Sequence, residues 1–255
     1  MDPTASSQQP LNPHNARDIM TLVISQSMYF PWVGLLEQIR MADVFVHYDD
    51  VQYARGFLNR VQIKGRSGRL WLTVPLRGLK RGQTIAQVAI DTQSDWKNHH
   101  RKMLQHAYAR TPFFEEMMNL FNSVIDHEFQ TLAELSRTSM HALAGYFGID
   151  AHCEFIRSDG LADDQSGSRR ILEIARHFEA SVYLTGHGGR NYLDHQAFER
   201  AGIQVQYMNY QIGPYPQLHG EFTPYVSALD LIANCGTDGI RYFQSTGEVP
   251  SDKIS

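Results

Sequence analysis

The chain has 255 residues, of which 42% are hydrophobic and 20% charged, and its formal net charge is -4. This composition suits one large or two small globular domains and excludes disorder over most of the chain. A net negative charge argues against nucleic acid as a partner, no apolar run reaches the about 18 residues of a membrane span, and two cysteines are too few for a disulfide framework.

Residues 1–18 carry three prolines and no periodic apolar pattern, which predicts a disordered leader. They lack the basic-then-apolar layout of a secretory signal, so we expect a cytoplasmic protein. An N-terminal α/β segment is expected over 19–92. It begins with a strand at 21–25, a helix at 33–42 and a strand at 44–48, which suggest a parallel βαβ unit. It continues with a glycine-turned hairpin at 61–74, a basic loop at 77–84 and a further strand at 86–90.

The next two segments are expected to complete one integrated domain. A helical segment over 93–150 contains helices at 94–110, 113–125 and 128–146, with Ser94 as the first N-cap and Gly148 as the last stop. A C-terminal α/β segment over 151–255 alternates strands and helices at 152–156, 169–178, 181–185, 192–201 and 204–207, then turns helical at 224–234 and 238–245. The pattern predicts an α/β fold with a parallel-sheet core of βαβ units and a helical cap or insertion.

Two loops, 25–34 and 185–192, follow predicted strands at the edge where ligands bind in open α/β sheets. In the first, Gln26 offers a hydrogen-bond donor and an acceptor, and Gly34 opens a helix whose amides can receive an anion. Tyr29, Phe30 and Trp32 crowd the same loop, which is equally typical of core packing. Both interpretations stay open.

Asp49 and Asp50 stand at the end of the second strand. Paired carboxylates there can hold a metal, act as a base or bind an amine, and a turn with a solvated carboxylate is the alternative. Adjacent residues of an extended strand point to opposite faces, so we expect only one of the two to face a given site. The second loop, Gly186 to Asn191, is typical of close backbone approach to phosphate and also of an ordinary tight turn.

His100 shares a helix face with Met103, Leu104 and Tyr108, which is typical of a buried core histidine, although histidine is also the commonest general base. No pair of histidines has the spacing of a zinc site, so no metal is expected. Cys153 in a strand and Cys235 at a helix C-terminus are expected to be structural thiols.

Seven motifs follow one another in a fixed order: Gln26-Ser-Met-Tyr-Phe-Pro-Trp-Val-Gly34, Tyr48-Asp-Asp-Val-Gln-Tyr53, Asn59-Arg60, Leu72-Thr-Val-Pro75, His100 with Tyr108 and Pro112-Phe-Phe114, Tyr183 to Asp194, and Ser227 to Gly236. In this order the chain resembles the WbqC-like protein family over residues 21–245. Ser27 stands where the family's first motif has a proline.

The resemblance implies a biosynthetic enzyme of polysaccharide or secondary-metabolite pathways that modifies an amino sugar or related amine. We expect a metal-independent acyl or aminoacyl transferase with no tightly bound cofactor. Its co-substrate would be an acyl thioester of coenzyme A or a carrier protein. An acyl carrier protein and a homodimer are kept open as partners.

The expected catalytic residues are His100 as the base, and Asp49 or Asp50 to hold the amine or orient His100. The expected substrate-binding residues come from the motif segments and are Gln26, Tyr29, Gln52, Tyr53, Asn59, Arg60, Gly186, His187, Gly188, Asn191 and Tyr192. Amides of the glycine loop would supply an oxyanion site.

A remoter likeness is to the nucleotidyltransferases that carry a HIGH motif. Aligning Gly34 with their motif glycine places Trp32 and Leu35 where their two histidines stand, so the likeness implies a pocket for a nucleotide-like or pantetheine-like group without adenylylation. Two alternatives to acyl transfer therefore stay open: an ATP-dependent ligase or nucleotidyl-group enzyme, and a non-catalytic module that binds a sugar nucleotide or a carrier protein.

Overall fold

A mainly parallel sheet of six strands forms the centre of the fold in a computed structural model, which describes residues 19–249. The strand order is β10-β9-β8-β1-β2-β7, and only the β9–β10 pair is antiparallel. The strands are β1 Thr21–Ser25, β2 Val44–His47, β7 Glu154–Arg157, β8 Val182–Thr185, β9 Gln204–Asn209 and β10 Thr246–Glu248. The prediction of an α/β fold with a parallel-sheet core is confirmed.

The order in which the chain fills the sheet fixes where a ligand can bind. From the β7 edge to β9, the five parallel strands are β7, β2, β1, β8 and β9, which are the third, second, first, fourth and fifth of them along the chain. The chain first builds outward from β1 through β2 to β7 and then returns to place β8 on the other side of β1. The loops that leave β1 and β8 therefore separate to opposite faces, and the crevice between them lies at the carboxyl edge.

Helices cover both faces of the sheet, because alternate residues of each strand are apolar on opposite sides. On one face, Val23, Phe45 and Leu184 share a core with helices α1 (Val33–Arg40) and α7 (Ala228–Cys235). On the other face, a second core holds Leu22, Ile24 and Tyr183. Helices α5 (Gly167–His177) and α6 (His195–Arg200) pack on this second core.

The segment between β2 and β7 contains the remaining elements. The predicted hairpin is confirmed, and its strands pair in register from Arg60↔Thr73 to Gly65↔Gly68. The elements are β3 Arg60–Gly65, β4 Gly68–Thr73, β5 Leu76–Arg77, β6 Ala89–Ile90, α2 Trp96–Tyr108, α3 Phe114–Ile125 and α4 Leu132–Phe147. Apolar residues of α2, α3 and α4 belong to the same core as α1 and β1.

Several predicted boundaries were wrong. Helix α2 begins after Asp95 instead of Ser94, whose hydroxyl bonds the Asp91 carbonyl. The strand predicted at 86–90 is a 3-10 turn followed by the short β6. The helix predicted at 192–201 shortens to α6, because a 3-10 turn occupies 187–191, and 236–242 is a second such turn.

Other details agree with the sequence. Gly148 ends α4 in the left-handed conformation, with φ of 64°. The predicted leader at 1–18 lies outside the described residues. No helix within 19–249 has the length and apolar character needed to cross a bilayer.

Candidate functional site

The loops after β1 and β8 meet at a cleft of about 670 Å³, which we call the sheet-edge cleft. Ser25 and Gln26 line one side, Thr185 and Gly186 the other, and the start of α5 closes a third side at Gly167. None of the fifteen described residues that line this cleft carries a charge. Its polar groups are amides and hydroxyls, which suit a neutral polar ligand better than an ion.

A hydrogen bond joins Gln38, which lines the sheet-edge cleft, to Tyr210, which lies behind Gly186. Gln38 on α1 donates from Nε2 to the Tyr210 hydroxyl at 2.7 Å. A Cβ at Gly186 would lie 3.1 Å from that hydroxyl, which is tighter than most real contacts. A larger residue at this position would therefore displace the Tyr210 hydroxyl by a few tenths of an ångström or more.

Tyr183 on β8 buries a hydroxyl group that has no hydrogen-bond partner in the described structure. Besides burial, the hydroxyls of Tyr192 and Tyr48, which line the sheet-edge cleft, contribute to raising its pKa, although Tyr183 itself does not line the cleft. Burial raises its pKa well above the usual tyrosine value, so the group stays a donor. A buried donor without a partner costs free energy, and Tyr183 bears this cost in the interior, since it is fully buried and is not among the residues that line the cleft.

Asp49 and Asp50 do point to opposite sides, as predicted. Asp49 is buried, accepts a bond from the Ser27 amide at 2.9 Å and pairs with Arg137 on α4 at 2.8 Å. Asp50 is more exposed and pairs with Arg170 on α5 at 2.5 Å. Neither carboxylate lines the sheet-edge cleft. Each instead ties a strand end to a helix beside it.

A buried polar network extends from Asp49 to the surface. The Ser27 hydroxyl donates to Asp49 Oδ2 at 2.8 Å, so His47 Nδ1–H donates to Ser27 Oγ at 2.8 Å. His47 Nε2 then accepts from His141 Nε2–H at 2.9 Å. Burial, aided by His141 and Arg137, lowers the pKa of His47 to about 3, so this ring stays neutral. Burial raises the pKa of Asp49, although its hydrogen bonds from Ser27 and Arg137 oppose that shift.

The loop after β1, which we call the β1 wall (residues 25–34), is held by buried contacts along its length. Phe30 adopts a φ of 38°, a conformation that costs a non-glycine residue about 1–3 kcal/mol. Its amide donates to Ser139 Oγ at 2.9 Å, and its carbonyl accepts from the Ser227 hydroxyl at 2.8 Å. A Cβ at Gly34 would overlap the Trp32 ring, so this glycine admits the indole over the start of α1.

His100 lies in the interior and is not among the residues that line the sheet-edge cleft. Its Nε2–H donates to the Thr73 carbonyl at 3.2 Å, and its Nδ1 accepts from the Tyr29 hydroxyl at 3.0 Å. Burial lowers its pKa to about 4. Within 19–249 no hydrogen bond joins it to Asp49. The structure therefore does not bring together the predicted base and the carboxylate expected to orient it.

The remaining predicted residues divide between two places. Gln26, Gln52, Gly186, Gly188 and Tyr192 line the sheet-edge cleft. Beside it, His187 and Asn191 are exposed on the 3-10 turn, and the His187 ring faces Tyr210 at 5.8 Å between centroids.

Tyr29 and Arg60 instead line a second cleft, which shares Met28 with the first. Tyr53 donates to Asn59 Oδ1 at 2.9 Å, and Asn59 in turn donates to the Val74 carbonyl at 2.9 Å. These two side chains therefore brace the segment before the hairpin.

The cysteines are both buried in the described structure. Burial raises the pKa of Cys153 to about 12 and that of Cys235 to about 11, so neither is a thiolate near neutral pH. Within residues 19–249, no three His, Cys, Asp or Glu side chains converge as metal ligands.

Sequence reasoning missed the residues that hold the strand ends. Arg137 and His141 lie 88 and 94 residues from the partners they contact, and Arg170 lies 120 residues from Asp50. Such pairs leave no local pattern. The amphipathic spacing of α4 and α5 predicts the helices but not which polar residue reaches a strand end.

Comparison with known proteins gives one family and one curated relative. The sequence model of the WbqC-like protein family matches residues 26–242. A protein of Mycobacterium tuberculosis described as uncharacterized is 32% identical over 227 residues, which cover 88% of this chain and 97% of that relative. No solved structure matches the chain.

Proposed function

The chain belongs to the WbqC-like protein family, and from that membership we propose that it transfers an acyl or aminoacyl group from a thioester to an amine such as an amino sugar. The amine nitrogen attacks the thioester carbonyl, the carbon–sulfur bond breaks, and the products are an amide and a free thiol. The amine surrenders a proton and the departing sulfur takes one up, so the reaction needs no further reactant.

One observation supports this proposal most directly, namely the uncharged lining of the sheet-edge cleft. Amide groups of Gln26, Gln38 and Gln52 and the hydroxyl of Tyr48 suit the hydroxyls of a sugar, and Tyr192 offers an aromatic face.

The turn after β8 is the proposed oxyanion site. The first amides of a 3-10 turn lack partners within the turn, and here they belong to His187 and Gly188 at the mouth of the cleft. His187 flanks two lining glycines and is exposed, so we propose it as the group that accepts the amine proton. In this proposal His100, whose ring nitrogens are both engaged, positions Tyr29 in the β1 wall.

The proposal is tested by intact mass spectrometry of candidate acceptors. A panel of amino sugars, both free and as nucleotide conjugates, is incubated with the protein and one of three donors: a carrier-protein thioester, a coenzyme A thioester, or free acid with ATP and magnesium. A mass gain equal to the acyl group, without ATP, supports the transferase. A gain seen only with ATP contradicts it.

A nucleotide-using ligase is the second candidate, because one observation favours it. The strand order and the position of the cleft, between the loops after β1 and β8, are those at which doubly wound sheets bind nucleotides. This order is also compatible with the remote likeness to nucleotidyltransferases with a HIGH motif. A rise in thermal midpoint with ATP and magnesium would favour this candidate, and ligand binding without turnover would favour a binding module.

A further inference from the structure

A second cleft of about 470 Å³ lies on the other side of Met28, and we call it the aromatic cleft. Its deeper wall contains Tyr29 and Val61, which are buried. Its outer wall contains Phe57 and Tyr225, whose side chains are 61% and 63% exposed. Large apolar residues so exposed at the mouth of one cleft indicate a surface that is covered when a ligand binds.

Two arginines project from the hairpin into this apolar setting. Arg60 stacks over the Trp71 ring at 4.4 Å and donates from Nε to the Gly56 carbonyl at 2.9 Å. Arg69 donates from one terminal nitrogen to Gln62 Oε1 at 3.2 Å. Both guanidinium groups are thus oriented by neutral partners, and each keeps further N–H donors.

Neither arginine is neutralised. Within the described chain, Arg60 and Arg69 form no salt bridge with a carboxylate, and no Asp or Glu is among the ten residues that line the aromatic cleft. Arg137 and Arg170, by contrast, each pair with a carboxylate. Two oriented and uncompensated guanidinium groups at an apolar cleft are complementary to an amphipathic anion.

We propose that the aromatic cleft binds a ligand made of an apolar alkyl or aryl body and a phosphate group. The apolar body packs against Tyr29, Val61 and the rim aromatics, and the phosphate lies between Arg60 and Arg69. A phosphate fits two guanidinium groups better than a carboxylate does, because it carries more charge and more acceptor oxygens. The inference stands on this cleft alone and does not depend on the acyl-transfer proposal.

The site also lies next to the sheet-edge cleft, because Met28 lines both. An apolar body that reaches Met28 places its end beside the proposed site of chemistry. A bound amphipathic phosphate would therefore be either a substrate of the same protein or an anchor for one.

The experiment is a titration of the full chain with four matched probes: octyl phosphate, octanoate, octanol and inorganic phosphate. Quenching of tryptophan fluorescence reports binding, since Trp32 lines the cleft and Trp71 stacks on Arg60. We expect octyl phosphate to bind at least tenfold more tightly than any of the other three probes. Octanol binding as tightly as octyl phosphate would overturn the phosphate site, and inorganic phosphate binding as tightly would overturn the apolar one.

Variants then place the ligand in the cleft. Arg60→Gln and Arg69→Gln should each weaken octyl phosphate about tenfold, whereas Arg66→Gln, an exposed arginine in the same hairpin but outside the cleft, should leave it unchanged. Phe57→Ala should weaken octyl phosphate more than inorganic phosphate. Its matched control is Leu79→Ala, another exposed apolar residue that does not line the cleft.

Equal weakening by Arg66→Gln would show a diffuse charge effect and overturn the proposal, as would the absence of binding by every probe. A protein that binds octyl phosphate but forms no acyl product keeps this inference and loses the proposed function. A protein that does not bind octyl phosphate, and forms acyl product equally well when Arg60 and Arg69 are replaced, keeps the proposed function and loses this inference.

Discussion

The two walls of the sheet-edge cleft differ in how firmly they are built. The β1 wall is tied by buried hydrogen bonds from Ser27 to Asp49, from Tyr29 to His100 and from Phe30 to Ser139. The glycine turn (residues 186–191) exposes four of its members, and its backbone hydrogen bonds are local, from Gly189 to Gly186 and from Tyr192 and Leu193 to Gly189.

The difference indicates a division of labour. The β1 wall fixes the shape of the cleft before any ligand arrives, and it can hold the unusual backbone of Phe30 because its partners are buried. The glycine turn presents amides and one imidazole to the ligand. Changes in the β1 wall should therefore appear first as lost stability, and changes in the turn first as lost function.

The largest effect is expected at Asp49. Asp49→Ala removes a buried carboxylate and leaves Arg137 and the Ser27 amide unpaired, so we expect the free energy of unfolding to fall by about 3–5 kcal/mol. Asp50→Ala should cost only about 1–2 kcal/mol, because Arg170 keeps bonds to Asp163 and to the Leu161 carbonyl. Urea unfolding followed by circular dichroism measures both. Equal losses would mean that the Asp49 network does not hold the β1 wall.

The next effect is a pH dependence of stability. His100 has a pKa near 6.5 when unfolded and about 4 when folded, so below pH 6.5 the unfolded chain takes up a proton that the folded chain refuses. Stability should therefore fall as the pH is lowered from 6.5 to 4, by about 3 kcal/mol from this group alone. His47 acts in the same direction, down to a pH of about 3.

The contribution of His100 is isolated by a matched pair of variants. His100→Gln keeps an acceptor for Tyr29 and a donor for Thr73 but cannot titrate, so the unfolding free energy should depend less steeply on pH between 6.5 and 4. His106→Gln, at an exposed position of the same helix, should keep the wild-type slope. Identical slopes in the two variants would show that His100 is not protected from protonation by the fold.

A smaller effect separates the two glycines of the turn. The Cβ of Gly186→Ala would press on the Tyr210 hydroxyl, whereas the Cβ of Gly188→Ala meets nothing within 4 Å. We expect the first variant to lose about 1 kcal/mol of stability through overpacking and the second to change by a few tenths. Thermal unfolding of both variants measures the difference. If Gly188→Ala were the more damaging, the turn would not pack on Tyr210 as described.

The smallest effect on stability is expected at His187, which is exposed. His187→Ala should change the free energy of unfolding by less than about 0.5 kcal/mol and still lower the rate of acyl transfer by at least about 100-fold, because it removes the proposed base. His177→Ala, exposed near the far end of α5, is the control and should leave the rate unchanged. A wild-type rate in His187→Ala would remove His187 from the mechanism.

The sequence was sufficient for the parts of this fold that depend on local patterns. Alternating strands and helices predict the parallel sheet. The rule for open sheets places a cleft beyond the ends of the strands that the structure shows as β1 and β8, where Gln26 and Gly186 lie. The opposite orientation of Asp49 and Asp50 is the one that side-chain alternation predicts for an extended chain, although β2 itself ends at His47.

The partners of those residues could not be predicted, because they come from distant helices. His100 illustrates the limit. Its apolar helix face predicted that the side chain is buried, and the structure confirms this. Nothing local indicated that Tyr29 and Thr73 would bond both ring nitrogens. Equally, no pattern indicated that Ser27 in the first motif would bridge His47 and Asp49.

The most direct test of acyl transfer at the sheet-edge cleft is the mass-gain assay repeated with a blocked cleft. Gly186→Leu would fill the space beside Tyr210 at the mouth, while Arg66→Gln serves as a folded control outside both clefts. With the donor and acceptor that give a product for the wild type, we predict no mass gain for Gly186→Leu and an undiminished gain for Arg66→Gln. Undiminished transfer by a folded Gly186→Leu variant would contradict the proposal that the reaction takes place between the β1 wall and the glycine turn.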